Sequence, residues 1–156
     1  MRRATIDPAL HGDVADRLRD AGQRYTSQRR RLVELLAREG SPLSLPQILR
    51  RRRDLPQSSV YRNLSDLEQA GVVARVPTDE DHGRYELSEE LVGHHHHLLC
   101  SRCGRTLDVT IDAELEGALG AALDRVARRA RFAAVSHRLD LIGVCEDCAA
   151  KDAQTR

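Results

Sequence analysis

Through the first half of the chain, apolar residues recur every three to four positions, the period of helices with one buried face. Leu10, Val14, Leu18 and Ala21 mark a first helix. Asp7 is placed to cap it, Pro8 stands at its first position and Gly22 ends it. Leu32, Val33, Leu35 and Leu36 mark a second helix, starting near Thr26 or Ser27 and stopping at Gly40. Ser44-Leu45-Pro46-Gln47 has the serine-to-glutamine spacing of a capping box, which predicts a short third helix ending around Arg50 to Arg53. Val60, Leu64 and Leu67 recur in a fourth, from about Gln57 to Ala70, closed by Gly71. The period then changes. Val72-Val73-Ala74-Arg75-Val76-Pro77 and Arg84-Tyr85-Glu86-Leu87, joined by a polar turn from Thr78 to Gly83, read as a β-hairpin. Helices followed by a hairpin make a winged helix-turn-helix, whose last helix fits a DNA major groove. On that helix Ser58, Ser59, Tyr61, Arg62 and Ser65 stand off the apolar face.

In the second half, Thr106 to Ile111 reads as a strand. Asp112 to about Ala130 reads as a helix with Leu115, Leu119, Leu123 and Val126 inward, and Ser136 to Val144 as a second strand. The run His94-His95-His96-His97 leads into a third strand. Side chains of an extended segment alternate in direction, so His94 and His96 leave one face while His95 and His97 leave the other. One run can therefore serve two metal sites. Partners available to the first pair are Glu116 and His137; to the second, Glu86, His82 and Glu89.

All 4 cysteines fall into two C-x2-C pairs, Cys100 with Cys103 and Cys145 with Cys148. Two residues between thiolates let one turn present both sulfurs to one metal, and two such turns complete a tetrahedral zinc site. Disulfides or thioredoxin-like redox pairs would use the same residues. The absence of a signal peptide before the run and of a redox βαβ unit around either pair argues against both. The histidine run is internal and feeds directly into a cysteine pair, unlike a cloning tag. Structural zinc accounts for the cysteines and leaves the histidines to be explained.

The 156 residues suffice for one medium or two small domains, 31% charged and 40% hydrophobic, with no apolar run long enough to span a membrane. Aromatics are only 3%, so the core must come from Leu, Val, Ala and Ile. The net charge of +1 hides an asymmetry: residues 1–76 carry +6 and residues 77–156 carry −5. The first half suits a polyanion and the second does not. The arginines from Arg50 to Arg53 read as a solvated helix end that at most touches phosphates.

Over essentially its full length the chain resembles the ferric uptake regulator family of bacterial metal-sensing repressors. The resemblance rests on Thr26-Ser27-Gln28-Arg29, Ser59-Val60-Tyr61-Arg62-Asn63-Leu64, Gly71-Val72-Val73, the run from His94 through Cys103 to Gly104, and His137 to Cys145. It implies an α+β fold: an N-terminal winged helix-turn-helix with hinge over residues 1–83, then an α/β dimerisation domain with a small antiparallel sheet over 84–150, then a tail, 151–156. It also implies a cytoplasmic homodimer whose metal-loaded form binds a palindromic double-stranded operator and represses metal-ion homeostasis genes. Position by position, the structural zinc site matches Cys100, Cys103, Cys145 and Cys148. The sensing site matches Glu86, His95 and His97, and a further site His94, His96, Glu116 and His137. DNA contacts match Arg24, expected in the minor groove, and Tyr61 and Arg62, with Ser59 beside them on the recognition helix.

Two departures stand out. Iron- and peroxide-sensing members carry a histidine ligand where this chain has Pro42-Leu43-Ser44, and zinc-sensing members often carry a cysteine near Ser88. His82 is the nearest replacement ligand. Nitrogen and oxygen donors suit regulatory Fe(II) or Zn(II), and also Mn(II) or Ni(II). A zinc enzyme is disfavoured, since neither H-E-x-x-H nor the deaminase signature is present and four thiolates leave zinc no open position. A zinc-stabilised protein-interaction module would explain the cysteines but neither the charge split nor the recognition helix.

Overall fold

A computed structural model describes residues 7–76 and 83–154, which form two compact units dividing between His94 and His95. The first unit opens with helices α1 (Pro8–Asp20) and α2 (Ser27–Glu39). The Asp7 carboxylate accepts from the Ala9 N–H at 2.9 Å, and Thr26 caps α2 through the Arg29 N–H at 3.4 Å. Gly40 ends α2 in the left-handed region at φ +56°, a conformation cheap only for glycine. A two-residue strand, β1 (Leu43–Ser44), leads into α3 (Leu45–Arg51). There the expected capping box is formed, with the Ser44 N–H donating to Gln47 Oε1 at 2.7 Å.

Helix α4 (Gln57–Gln69) precedes the hairpin strands β2 (Val73–Val76) and β3 (Arg84–Leu87). The sheet order is β1-β3-β2, antiparallel throughout. Val14, Leu18, Leu32, Val33, Ile48, Val60, Leu64 and Leu67 fill the core beneath it, each at most 1% exposed. This is a winged helix-turn-helix built almost without aromatics, as composition required. One further turn of helix, α5 (Glu89–Val92), follows β3.

The second unit holds β4 (His96–Cys100), β5 (Thr106–Val109), α6 (Ala113–Arg129), β6 (Asp140–Gly143) and α7 (Glu146–Gln154). The expected α+β class holds. The second sheet, however, is mixed rather than antiparallel: its order is β5-β4-β6, and β4 pairs antiparallel with β5 but parallel with β6. The chain turns tightly from β4 into β5, then crosses back over α6, a connection long enough to bring β6 in parallel.

The helix face expected to point inward is the second correction. Leu115, Leu123 and Val126 are 53%, 39% and 63% exposed, and the edge strand β6 also exposes Leu141 and Ile142. On this 17-residue helix no residue is fully buried, so the apolar stripe is left uncovered within one copy of the unit. An apolar hollow of about 270 Å³ lies open on the second sheet, lined by Leu98, Leu107, Leu141, Ile142 and Val144.

Candidate metal centres and nucleic-acid interface

Cys100 ends β4 and Cys103 lies in the turn that follows; Cys145 follows β6 and Cys148 is in the first turns of α7. The first turn closes through the Gly104 N–H onto Cys100 O at 2.9 Å, with Gly104 at φ +65°, where a side chain would be strained. The second closes through the Cys148 N–H onto Cys145 O at 3.0 Å. Ser101 binds Gly143 O through both its N–H and its hydroxyl, and Arg105 forms an ion pair with Asp147. These contacts draw the two turns together. All four sulfurs lie within 4.8 Å of one another, and Cys103 Sγ is 3.7 Å from Cys145 Sγ.

That separation suits a shared metal ion and not a disulfide. A disulfide requires about 2.05 Å, whereas two sulfurs each about 2.3 Å from a tetrahedral zinc stand about 3.8 Å apart. The four-sulfur group therefore fits zinc. Its electrostatics agree. Backbone N–H groups, that of Cys145 foremost, pull the Cys100 thiol down to about 6. Cys148, hydrogen-bonded to Cys145 and Cys103 and desolvated, is pushed up to about 12. Four clustered sulfurs resist ionising together until a cation shares their charge.

The alternation expected of the histidine run is realised around β4. On one side His96 Nε2 lies 2.8 Å from Glu116 Oε2, and the other oxygen of that carboxylate lies 3.0 Å from His137 Nε2. The His96 ring is 1% exposed, its centroid 5.7 Å from that of His137. Helix α6 supplies Glu116 one turn beyond the Asp112 cap, and the segment before β6 supplies His137. Three of the four residues expected at this site lie in the second unit. The fourth, His94, belongs to the first unit, where its Nδ1 lies 2.9 Å from Glu89 Oε2.

On the other side the His95 and His97 rings meet edge-on, centroids 5.1 Å apart, 9% and 2% exposed. Asp108 joins them: each of the three offers a ligand atom within 4.8 Å of the others. Sequence reasoning missed Asp108. Its only signal is register, since β5 pairs it directly with His97, and register depends on the length of the Cys100–Arg105 turn. Asp140, beside His97, is held in its charged form: burial opposes ionisation, but Arg138 and His97 keep its carboxyl below the usual carboxylate range. Glu86 sits on β3 of the first unit, and His82 lies outside the described residues.

In the first unit, the face of α4 opposite Val60, Leu64 and Leu67 presents Tyr61, 48% exposed, and Arg62, with Ser59 half-buried near the helix start. Arg24 is exposed in the loop before α2. Arg29 steadies that loop by donating to Arg24 O at 2.5 Å and to Gln23 Oε1 at 2.9 Å.

A winged helix-turn-helix on the same chain as a unit that gathers thiolates and imidazoles defines the class of metal-responsive transcription regulators. Residues 20–142 match the ferric uptake regulator family, and the chain belongs to it. It is 30% identical to the ferric uptake regulation protein of Legionella pneumophila, over 87% of this chain and 98% of that one. It is 27% identical to the peroxide-responsive repressor of Staphylococcus saprophyticus, over 92% and 94%. Among solved structures it resembles the Helicobacter pylori ferric uptake regulator, which has three functional metal binding sites, with a TM-score of 0.70 at 25% identity over 96% and 97% of the chains. The family regulates metal homeostasis through transcription, and the chain is no enzyme. No helix among the described residues is long and apolar enough to cross a membrane.

Proposed function

We propose that this protein is a metal-dependent DNA-binding repressor: a cytoplasmic homodimer that recognises a palindromic operator of metal-ion homeostasis genes when its sensing site is loaded with Fe(II) or Zn(II). The observation that carries this reading is the division of labour around β4. One strand ends in a four-sulfur group suited to permanent zinc, and its histidines divide into two further groups of nitrogen and oxygen donors. Thiolates hold zinc tightly, whereas imidazole and carboxylate exchange metal more readily and suit a sensor.

In this reading Cys100, Cys103, Cys145 and Cys148 hold structural zinc. His95, His97 and Asp108 hold the regulatory ion, together with Glu86, which the family resemblance assigns to it, and His82 as the replacement ligand offered by the sequence. His94, His96, Glu116 and His137 serve a further ion. The exposed stripe of Leu115, Leu123 and Val126 with Leu141 and Ile142 is the surface a second copy would cover. In a dimer, two α4 helices presenting Ser59, Tyr61 and Arg62 would enter successive major grooves, with Arg24 reaching the minor groove.

DNase footprinting of the gene's own promoter, with chelator and then with Fe(II) or Zn(II), tests the proposal. A palindromic footprint that requires added metal supports it; a footprint unaffected by metal, or none on any metal-transport promoter, refutes it. Two imidazoles with a carboxylate also suit Fe(II) in a peroxide sensor, and Mn(II) or Ni(II) sensing by the same donors is the remaining variant. Loss of the footprint on adding hydrogen peroxide to the Fe(II) form, but not to the Mn(II) form, would favour the peroxide sensor.

A further inference from the structure

Parallel pairing of β4 with β6 sets His97 and Asp140 side by side as Cα partners. His97 Nδ1 lies 3.1 Å from Asp140 Oδ1, hydrogen-bond distance. The other ring nitrogen, Nε2, is turned to Asp108 Oδ1 at 3.9 Å, too far for a direct hydrogen bond. A carboxylate only accepts, so a His97 that ligates a cation through the Nε2 lone pair keeps its proton on Nδ1, donated to Asp140. That lone pair faces the side on which His95 and Asp108 offer their own ligand atoms.

Asp140 is itself fixed from behind. Arg138 donates Nε to Oδ1 at 3.3 Å, and its Nη2 forms an ion pair with Oδ2. A two-pronged guanidinium clamp leaves the carboxylate little rotational freedom, and its oxygen keeps its aim at Nδ1. The strand does not need this arrangement to form, because β6 is held to β4 by main-chain pairing along Asp140 to Gly143.

We propose that Asp140, clamped by Arg138, is the positioning residue for His97: it sets the ring's tautomer and orientation and makes Nε2 a stronger donor to the regulatory ion. The inference rests on the assignment of His95 and His97 to that ion. Its consequence is that sensor affinity is set partly by Arg138 and Asp140, neither of which touches the metal. Removing such an outer partner of a ligating histidine weakens metal binding by about 10–100-fold.

The test uses full-length protein with its cysteine site filled by zinc, titrated with Co(II) and followed by visible absorption. Asp140→Ala should weaken Co(II) binding at the regulatory site by about 10–100-fold while zinc content and melting temperature stay those of the parent. Asp140→Asn, whose amide oxygen can still accept from Nδ1, should lose less. In metal-free protein, nitrogen-15 NMR of His97 should show the Nδ1–H form in the parent and in Asp140→Asn, and a mixture of tautomers in Asp140→Ala. If Asp140→Ala fails to fold, the near-isosteric Asp140→Asn and Arg138→Ala carry the test, and unchanged affinity in both overturns the proposal. Parental Co(II) affinity in Asp140→Ala, with binding abolished in His97→Ala, removes Asp140 from the sensor and leaves the site assignment standing. Parental affinity in His97→Ala itself overturns the assignment and the inference together.

Discussion

Arg29 on α2 and Asp66 on α4 form an ion pair inside the first unit, their side chains only 9% and 20% exposed. The same guanidinium binds the backbone of Arg24 and the side chain of Gln23, so one buried cation ties the proposed recognition helix to the loop of the proposed minor-groove arginine. Removing one partner of such a pair leaves the other charge buried and uncompensated, at a cost of about 3–5 kcal/mol. Asp66→Ala should lower the urea midpoint of the first unit accordingly and weaken DNA binding, with zinc content unchanged. An unaltered midpoint would show that the pair contributes nothing to stability.

The four-sulfur site should be inseparable from the folding of the second unit. That unit buries few apolar residues, and structural zinc contributes on the order of 10 kcal/mol in small zinc domains. Cys145→Ser should therefore give a protein that has lost its zinc and its dimeric state. Chelation of the parent under denaturing conditions should have the same effect. A stable Cys145→Ser dimer with full zinc content and an unchanged melting temperature would contradict this.

On α4, Tyr61 can press its ring on a thymine methyl, and Arg62 can bridge a guanine edge or a phosphate. Arg62→Ala should cost about 1–3 kcal/mol on the operator and little on random DNA. Equal loss on both DNAs would reduce Arg62 to a phosphate contact, and no loss on either would place the reading surface elsewhere.

How much of this was legible in the chain depended on the range of the interactions involved. The four N-terminal helices announce themselves through local signals, Asp7, Thr26, the Ser44–Gln47 box and the glycines after α2 and α4, and each cap is where the spacing put it. The two faces of the histidine run followed from the two-residue period of extended chain. Features requiring a distant partner were not visible. Strand β1 is two residues long and exists through its pairing with β3. Asp108 and Asp140 reach His97 only through the β4–β5 and β4–β6 registers, and the parallel placement of β6 depends on how the chain returns from α6. The short helix α5 and the closing α7 were not anticipated either. The stripe on α6 was seen as apolar and wrongly assigned inward, because periodicity shows that a face seeks cover without showing whether the cover lies in the same copy.

The central claim is that His95 and His97 form the switch, so that metal held there raises affinity for the operator. It is tested most directly by fluorescence anisotropy of labelled operator DNA, with the parent and a His95→Ala, His97→Ala double variant titrated in chelator and in Fe(II) or Zn(II). The double variant must first be shown to remain a folded dimer with its cysteine-bound zinc. The parent should bind tightly only with metal, and the double variant should bind equally weakly in both conditions. Operator affinity that still rises with metal in the double variant, as in the parent, would contradict the account and move the switch to the group of His96, Glu116 and His137.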